Sequence, residues 1–392
     1  MTYDYDVIVV GGRAAGASTA MLLARQGHRV LVLDRVEMPA DTVSTHAVLR
    51  TGVLQLTRWG VLDRIVEAGT PPISDIMLGF GDERIPFLVR DDYDIAELYA
   101  PRRLVLDAAL LEAATASGAE FLGGTRVTGL HRDAYGRVTG VVAQDCRWSR
   151  VITARYVVGA DGVRSRIAAL VDAETLTSHQ PFNAIHYAYF TGVDAAGYWF
   201  QFTPGVNAGM IRTNGDATCV FVARPINQLA AFRSDPEAEF RRLLRKAGTD
   251  IADRVGAGVR VSGFRGTSGL PGFVKKPWGS GWALVGDAGY SKDPISAHGI
   301  SAALRDAELC ARAVDRALSD PEAEVEALRQ YQEVRDEVSA PLFRESKALA
   351  QYQWDASTAS TRMRAISDAV RAECATLIAL PTWPALATAV PA

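Results

Sequence analysis

The sequence has few cysteines, no long apolar run and no excess of positive charge. Its four cysteines, at positions 146, 219, 310 and 374, are far apart and include no C-x-x-C pair. That spacing argues against a disulfide framework or a zinc cluster, so we expect small buried thiols in a reducing cytoplasm. No window contains the roughly 18 consecutive apolar residues that a membrane-spanning helix needs, and we therefore expect no membrane span.

Charge and composition exclude further classes of protein. Lys and Arg total 42 against 45 Asp and Glu, a balance without the basic surface that nucleic-acid binding requires. The first apolar run, Val7–Val10, follows Asp4 and Asp6 rather than Lys or Arg, which is not the pattern of a signal peptide. With 392 residues, of which 48% are hydrophobic and 22% charged, the chain is typical of a globular enzyme of two or three structural units.

Residues 5–35 have the pattern of a βαβ unit. Asp6–Val10 is a short apolar strand of the kind that is buried on both faces, and an Ala- and Leu-rich helix is predicted from about Ala15 to Gln26. Gly27 suits the left-handed position that ends such a helix. Arg29–Asp34 is a second apolar strand, and it ends in an acid.

A glycine-rich turn at residues 11–16 joins the first strand to the helix. Glycines there permit a tight turn and close helix–strand packing, and the helix N-terminus presents unpaired N–H groups to a diphosphate. The acid at the end of the second strand is placed to bind ribose hydroxyls. The whole pattern predicts dinucleotide binding but does not separate FAD from NAD. The predicted cofactor residues are Gly11, Gly12, Arg13, Ala15, Gly16, Asp34 and Arg35.

Arg13 departs from this fingerprint, because it stands where the middle glycine is expected. Two interpretations are open. Either its side chain points away from the phosphates and the backbone geometry survives, or its guanidinium pairs with a phosphate. We expect that replacing it with glycine weakens flavin binding.

The remaining elements follow from hydrophobic periodicity. The pattern predicts helical segments at 45–68, a helix at 104–117, a strand meander at 120–152, a buried strand at 156–159, an antiparallel sheet at 183–224, a helix at 236–247, a strand at 282–285, a long helix at 299–318 and a helical tail from 320 to about 380.

Three segments resemble motifs of FAD-dependent enzymes with the aromatic-hydroxylase, or glutathione-reductase-like, fold. Arg103-x-x-Leu106-x-x-x-Leu110 is similar to a helix start whose arginine reaches the flavin's phosphate and ribityl region. Residues 159–162 followed by Ser165 resemble the GADG-x-x-S motif, which lies near FAD and, transiently, NAD(P)H. Ala168 stands where that motif usually adds an arginine.

The third segment, residues 286–307, resembles GDAAH-x-x-x-P-x-x-G-x-G-x-N-x-x-x-x-DA. In the family its aspartate binds a ribityl hydroxyl, and the loop lies under the pyrimidine end of the flavin. Asp287, Pro294, Gly299 and Asp306 keep the register of the motif. Departures from it are Gly289, Tyr290, Ala297 and Ser301.

The resemblance implies a mixed α/β fold. We expect a glutathione-reductase-like FAD-binding Rossmann domain, an interleaved antiparallel-sheet substrate domain and C-terminal helices. The FAD-binding domain is predicted at residues 1–75, 100–178 and 265–325, the substrate domain at 76–99 and 179–264, and the C-terminal helical segment at 326–392.

It also implies further cofactor contacts and candidate catalytic groups. The loop after the second strand runs alongside the flavin ring in this fold, so His46 is placed to donate to a flavin oxygen or to move a proton. Lys292 and His298 are expected on the other side of the same pocket. The further cofactor residues are Ser44, Thr45, His46, Arg103, Val127, Asp161, Gly286, Asp287, Pro294, Gly299 and Ile300. No metal ligands are expected.

The predicted antiparallel sheet supplies a candidate substrate pocket. In this fold such a sheet roofs the flavin, and an apolar wall with few polar anchors suits a flat or greasy substrate. Period-two alternation means that only some of its aromatic residues face inward. The candidate pocket residues are Tyr187, Tyr189, Phe200, Gln201, Phe202, Met210 and Arg212, with Gln201 and Arg212 as polar anchors.

Two function classes lead. In the first, NAD(P)H reduces the flavin, O₂ reacts with it, and one oxygen atom reaches an organic substrate, as in monooxygenases of natural-product and antibiotic biosynthesis. In the second, the reduced flavin reduces an alkene, as in geranylgeranyl reductases, or serves a partner oxygenase. A halogenase is a weaker third because no W-x-W-x-I signature is present, and a flavin-binding sensor is weaker still. A monomer or a homodimer is expected.

Overall fold

The computed structural model describes residues 3–90, 92–195 and 197–383. Its helices are α1 (Ala14–Arg25), α2 (Arg50–Arg58), α3 (Leu62–Glu67), α4 (Arg103–Ala116), α5 (Arg166–Leu170), α6 (Leu229–Ser234), α7 (Pro236–Ala247), α8 (Thr249–Gly256), α9 (Gly299–Ser319), α10 (Glu324–Ala350) and α11 (Ala356–Ile378).

The strands form two large sheets and two small ones. They are β1 (Tyr5–Val10), β2 (Val30–Leu33), β3 (Pro72–Ile73), β4 (Asp75–Phe80), β5 (Glu83–Leu88), β6 (Leu98–Tyr99), β7 (Glu120–Leu122), β8 (Arg126–Arg132), β9 (Val138–Gln144), β10 (Ser149–Gly159), β11 (Thr175–His179), β12 (Asn183–Thr191), β13 (Tyr198–Thr203), β14 (Val206–Arg212), β15 (Thr218–Pro225), β16 (Val259–Arg260), β17 (Arg265–Thr267), β18 (Gly272–Lys275), β19 (Trp278–Gly279), β20 (Trp282–Leu284) and β21 (Tyr290–Ser291).

The first large sheet is the nucleotide-binding sheet. Its strands run in the order β19-β20-β10-β1-β2-β7, and β20, β10, β1, β2 and β7 are parallel. β8 and β9 extend it as an antiparallel meander from the first half of β10. The predicted βαβ unit is present, with β1 and β2 buried along their apolar residues because helices and the meander cover both faces.

The second large sheet, which we call the roof sheet, has the order β16-β12-β15-β14-β13-β4-β5. β12 to β15 pair antiparallel as predicted, whereas β13 pairs parallel with β4. β17 also pairs with β12, so the predicted domain boundary at residue 265 falls inside the roof sheet. The other domain boundaries stay predictions.

The two faces of the roof sheet pack against different elements. One face contributes Tyr187, Tyr189, Phe200 and Phe202 to the core that contains α1, α4 and α9. The other face packs against α6, α7 and α8 through residues such as Met210. Both faces are therefore buried, which is the reason why apolar residues dominate on both.

The C-terminal helices connect the two halves of the fold. α10 packs along α9, and α11 contacts α2, β4 and β13. Between them, the Trp354 ring lies 6.4 Å from the Phe202 ring of the roof sheet, and its Nε1 donates to the Leu349 carbonyl. The helical tail thus closes one end of the space between the roof sheet and the nucleotide-binding sheet.

Some expectations from composition can be compared directly with the structure. Cys219, Cys310 and Cys374 are buried as free thiols, whereas Cys146 is exposed, contrary to the prediction. No helix in the described part of the chain is long and apolar enough to cross a membrane. Among the described residues, no cluster of His, Cys, Asp or Glu has the geometry of a metal site.

Candidate flavin site

The turn between β1 and α1 lets backbone segments approach each other closely. Gly11 has a φ of +111°, and a Cβ on it would lie 2.4 Å from the Ala160 oxygen. A Cβ on Gly16 would lie 1.8 Å from the Gly11 oxygen. Only glycine fits either position. The first turn of α1 has neither an acidic residue nor a side-chain cap among the described residues, so its N–H groups are available to a phosphate.

Asp34 lies at the end of β2, against this turn. Its Oδ2 accepts a hydrogen bond of 2.8 Å from the Gly12 N–H, and its Oδ1 accepts one of 2.9 Å from the Val36 N–H. The carboxylate therefore fixes the glycine turn, and its remaining lone pairs are available to a ribose. Arg35 is exposed beside it, and the ribose contact remains a prediction for both residues.

Asp161 supports the same turn from the other side. Its Oδ1 accepts from the Ser165 hydroxyl at 2.5 Å, and its Oδ2 accepts from the main-chain N–H groups of Arg166 and Ile167. These bonds hold the loop that presses against Gly11. The structure thus gives Asp161 a role in loop geometry, and a direct cofactor contact stays a prediction. Val127, also predicted to contact the cofactor, is buried in the core beside Val10 and Leu33.

The third motif meets the first one directly. Gly286 has a φ of +58°, and a Cβ on it would lie 2.9 Å from the Ala15 Cβ. The adjacent Asp287 side chain is exposed to a recess although Gly286 and Ala288 beside it are buried. Because protein surrounds that recess, desolvation raises the pKa of Asp287. An accessible carboxylate deep in the fold is suited to bind hydroxyl groups of a ligand.

The start of α9 opens into the same region. Gly299 is exposed, and a Cβ on it would meet nothing within 4 Å. α9 has 21 residues, and the described residues provide no side-chain cap for its N-terminus. Its positive dipole end therefore faces open space. Pro294 begins the short helical turn that leads to it, and Ile300 is buried against the main core.

Lys292 and His298 lie behind this opening, and each has a partner inside the protein. The Lys292 Nζ donates to the His298 carbonyl at 3.3 Å, and burial lowers the pKa of Lys292 to about 8. The His298 Nδ1 lies 2.5 Å from the Ser296 carbonyl and donates to it, since a carbonyl only accepts. Burial lowers the pKa of His298 to about 3, so its ring is neutral at physiological pH.

His46 is fully buried and forms a pair with Tyr189 of the roof sheet. It has a φ of +68°, an uncommon conformation for a non-glycine residue. Its Nε2 lies 2.5 Å from the Tyr189 hydroxyl, and its Nδ1 has no hydrogen-bond partner among the described residues. Burial and the nearby Arg103 lower the pKa of His46 to about 3. The ring is therefore neutral and retains one uncommitted nitrogen.

Ser44 helps to hold this loop against the roof sheet. Its Oγ accepts from the His46 N–H at 3.0 Å, and its own N–H donates to the Tyr187 hydroxyl at 3.2 Å. Thr45, between them, is half-buried. This loop therefore contacts the roof sheet, whereas the predicted contact of Ser44 and Thr45 with the flavin stays a prediction.

The candidate pocket residues divide between the two faces of the roof sheet. Tyr187, Tyr189, Phe200 and Phe202 face the nucleotide-binding sheet, and Phe221 joins them there. Gln201, Met210 and Arg212 lie on the opposite face, so the prediction that they share this wall is wrong. Gln201 bonds instead to the Gly81 carbonyl and the Thr203 hydroxyl, Met210 packs in the core beneath α7, and Arg212 is exposed.

The residues present fit an FAD molecule along its length. The Cβ-free turn at Gly11 and Gly16 can admit a diphosphate, and the accessible carboxylate of Asp287 can bind the ribityl chain. The open N-terminus of α9 can face the pyrimidine edge of the ring. A family profile described as "FAD binding domain" matches residues 4–346. The chain belongs to this family of FAD-binding proteins.

Proteins similar to this flavoprotein include both reductases and a monooxygenase. The menaquinone reductase of Mycolicibacterium smegmatis is 26% identical over 323 residues, which cover 78% of this chain and 75% of that protein. The digeranylgeranylglycerophospholipid reductase of Methanosarcina mazei is 28% identical over 358 residues, which cover 85% and 80%. The flavoprotein is thus an FAD-dependent oxidoreductase of the aromatic-hydroxylase and geranylgeranyl-reductase superfamily.

Solved structures show the same fold. PqsL of P. aeruginosa in complex with 2-aminobenzoylacetate has a TM-score of 0.81 and 25% identity, with coverage of 93% of this chain and 99% of that one. Another PqsL structure, described as a probable FAD-dependent monooxygenase, has a TM-score of 0.78 at 25% identity and the same coverage. The brominase Bmp2, with a TM-score of 0.80 at 17% identity, shares the fold alone.

Arg13 in the flavoprotein is held by a residue that sequence reasoning missed. Its Nη1 donates to the Asp107 Oδ2 at 2.9 Å and to the Ala40 carbonyl at 3.0 Å. Arg103 donates to the Asp107 Oδ1 at 2.8 Å, and the Asp107 side chain is fully buried. One carboxylate thus orients both arginines beside the diphosphate turn. The spacing of Arg103 and Asp107, four residues apart on a helix, was the available signal.

Three further residues that were not predicted as site residues join the loop after β2 to the roof sheet. The Asp41 carboxylate pairs with Arg265 of β17 and lies 3.6 Å from Arg102. The Arg102 guanidinium lies 4.5 Å from the centroid of the Tyr189 ring. The recess is therefore bordered by cations that are partly exposed: the side chains of Arg102 and Arg265 keep 33% and 43% of their surface.

Replacing Arg13 with glycine restores the usual fingerprint but removes the contacts to Asp107 and Ala40. We expect FAD affinity to fall by roughly 10-fold or more, since a hydrogen bond to a charged group contributes about 1.5–3 kcal/mol. Titration of the apoprotein with FAD, followed by flavin fluorescence, measures this. Arg147→Gly, at an exposed turn between β9 and β10, is the control. Unchanged affinity in Arg13→Gly would mean that the arginine has no part in holding the cofactor site.

Proposed function

We propose that this protein is a monooxygenase that inserts oxygen into an apolar or aromatic small molecule, in natural-product biosynthesis. The observation that carries the proposal is the aromatic wall of the roof sheet over the flavin recess. Tyr187, Tyr189, Phe200 and Phe221 on this wall are each at most 8% exposed. Such a wall excludes water and binds a flat apolar ligand through burial of apolar surface rather than through many hydrogen bonds.

Bound FAD would supply the reaction with O₂ after its reduction, and the protein's own residues would bind and orient the substrate. The Tyr187 and Tyr189 rings meet edge to face, with 5.8 Å between their centroids and an interplanar angle of 72°, and both hydroxyls bond to the loop of Ser44 and His46. Burial raises the pKa of both hydroxyls, so both stay protonated. The wall is thus apolar with two hydroxyl groups.

His46 and Tyr189 would hold a proton at the edge of this pocket. With a neutral imidazole that accepts from Tyr189 at Nε2, the ring proton is on Nδ1. That N–H has no partner among the described residues and is available to a cofactor or substrate oxygen. The low pKa of His46 makes it a hydrogen-bond donor in its neutral form, not an imidazolium acid.

The comparisons support an aromatic substrate as the first candidate. PqsL, whose structure contains 2-aminobenzoylacetate, matches nearly the whole chain, and this compound combines an aromatic ring with a carboxylate. The partly exposed Arg102 and Arg265 beside Tyr189 would suit a similar acidic group.

A reductase is the second candidate. The two relatives named above, which match over three quarters or more of each chain, are reductases, and their names indicate prenylated substrates. The same apolar wall would accept an isoprenoid chain, whose alkene would receive a hydride from the reduced flavin. A supplier of reduced flavin to a partner oxygenase belongs to this class as well.

Consumption of O₂ and incorporation of its oxygen into the product distinguish the monooxygenase from the reductase. With a panel of aromatic acids and prenylated compounds, we expect substrate-stimulated O₂ consumption and one atom of ¹⁸O in the product from ¹⁸O₂. Tyr189→Phe should lower turnover by about 10-fold or more because it removes the partner of His46, with FAD binding unchanged. Tyr198→Phe is the matched control, since its buried hydroxyl donates to the Tyr99 carbonyl. If the unsubstituted protein turns over equally fast without oxygen, it is not a monooxygenase, and the reductase becomes the proposed function.

We further propose that NADH or NADPH docks in a second recess beside the flavin site. This cavity of about 380 Å³ is lined by Arg164, Ser165, Thr175, Ser178 and Lys275, among others. The Lys275 Nζ donates to the Thr175 hydroxyl at 3.0 Å. Cations and hydroxyl groups together suit the phosphates of a nicotinamide nucleotide. Ala288, next to Asp287, also lines the cavity, so a donor bound there would be near the flavin.

Removal of either cation from this recess should weaken the donor and leave FAD in place. We expect Arg164→Ala and Lys275→Ala each to raise the KM for the nicotinamide nucleotide by about 10-fold, with unchanged flavin content. Lys276→Ala is the control, since Lys276 lies 4.6 Å from the Trp278 ring and does not line the cavity. A KM within twofold of the unsubstituted protein in both variants would place the donor elsewhere.

A further inference from the structure

Behind the start of α9 lies a group of buried charges drawn from α9, α11 and the segment after β21. Arg305 of α9 is fully buried and pairs with Asp306 at 2.7 Å and with Glu373 of α11 at 3.5 Å. The Lys292 Nζ and the Arg305 guanidinium lie 5.0 Å and 5.3 Å from the centroid of the same Tyr290 ring. Two buried cations therefore share one aromatic ring, at the back of the recess that contains Asp287.

These charges are a paired set and Lys292, which has no carboxylate at salt-bridge distance among the described residues. Arg305 has two carboxylate partners, so the paired set carries no net positive charge. Lys292 has one hydrogen bond within the described part of the chain, to the uncharged carbonyl of His298, at the start of α9. Its side chain thus adds a positive charge to the dipole end of a 21-residue helix.

The groups around Lys292 determine its protonation. The nearby Arg305 lowers its pKa, whereas Asp287 from the turn before β21, Glu373 from α11 and Asp306 from α9 raise it. Tyr290 and His298 also face it, and both are uncharged at neutral pH. Burial is the largest influence and brings the pKa of Lys292 to about 8. Loss of any one of the carboxylates would bring deprotonation closer to neutral pH.

We propose that Lys292 raises the reduction potential of the bound flavin, and that Glu373 of the C-terminal helix keeps this lysine charged. The inference rests on the proposed position of the flavin ring at the start of α9. Uptake of two electrons and one proton leaves the flavin ring with one negative charge. A fixed ammonium group behind that edge of the ring stabilises the reduced form over the oxidised form.

The test is the midpoint potential of the bound FAD, measured anaerobically against a reference dye, without substrate or nicotinamide nucleotide. In Lys292→Met we expect reduced FAD to bind at least tenfold more weakly relative to oxidised FAD, which corresponds to a fall of about 30 mV. Lys292→Arg keeps the charge and should keep the potential. Lys246→Met, on α7 at the outer face of the roof sheet, is the control.

The dependence on pH tests the role of Glu373. A protonated Lys292 favours reduced flavin below about pH 8, so the difference between the unsubstituted protein and Lys292→Met should shrink above that pH. Glu373→Gln removes a negative charge that favours protonation of Lys292. In this variant the effect of Lys292 on the potential should therefore disappear at a lower pH. If Lys292→Met does not bind FAD, the proposal is tested by the pH dependence of the midpoint potential in Glu373→Gln, compared with that of the unsubstituted protein. Equal potentials in Lys292→Met and the unsubstituted protein, or an unshifted profile in Glu373→Gln, would overturn the proposal. Neither outcome affects the oxygen test above.

Discussion

The structure depends on the contact of three backbone segments at one end of the nucleotide-binding sheet. Gly11 touches the main chain of Ala160, Gly16 touches Gly11, and Gly286 touches Ala15. No side chain fits between any of these pairs, so the three segments can meet only because glycine stands at each contact. Their meeting brings together the diphosphate turn, the loop held by Asp161 and the recess of Asp287, although 275 residues separate Gly11 from Gly286.

The second requirement is that the roof sheet stays in place above this point. The loop after β2 provides the connection: Arg13 and Asp107 hold its first half near the phosphate turn, and Asp41 pairs with Arg265 of the roof sheet. His46 continues the connection through Tyr189. One loop therefore contacts both the glycine turn after β1 and the aromatic face of the roof sheet. The C-terminal helices close the other end through Trp354 and contribute Glu373 to the buried charges behind the start of α9.

The sequence predicted the βαβ unit, because glycine spacing and buried parallel strands are local signals, and the resemblance of its three motifs to FAD-dependent enzymes implied the fold class. It failed for Gln201, Met210 and Arg212. Period-two alternation shows that a strand has two faces but not which one is inward, and here α7 and α8 bury the second face as well. Asp107 was missed because its role depends on two arginine partners. Its spacing from Arg103 is a local signal, but its contact with Arg13 is not. Glu373 lies near Lys292 because α11 folds back over α2. This is a long-range contact, and no local sequence pattern predicts it.

The central claim is that FAD lies with its diphosphate at the turn after β1 and its ring between His46 and the start of α9, beneath Tyr189. A crystal structure of the protein with bound FAD tests this most directly. The account predicts hydrogen bonds from the main-chain N–H groups at the start of α1 to the diphosphate, and from the ribityl chain to Asp287. A flavin ring that lies away from the aromatic face of the roof sheet, or a diphosphate elsewhere in the fold, would contradict it.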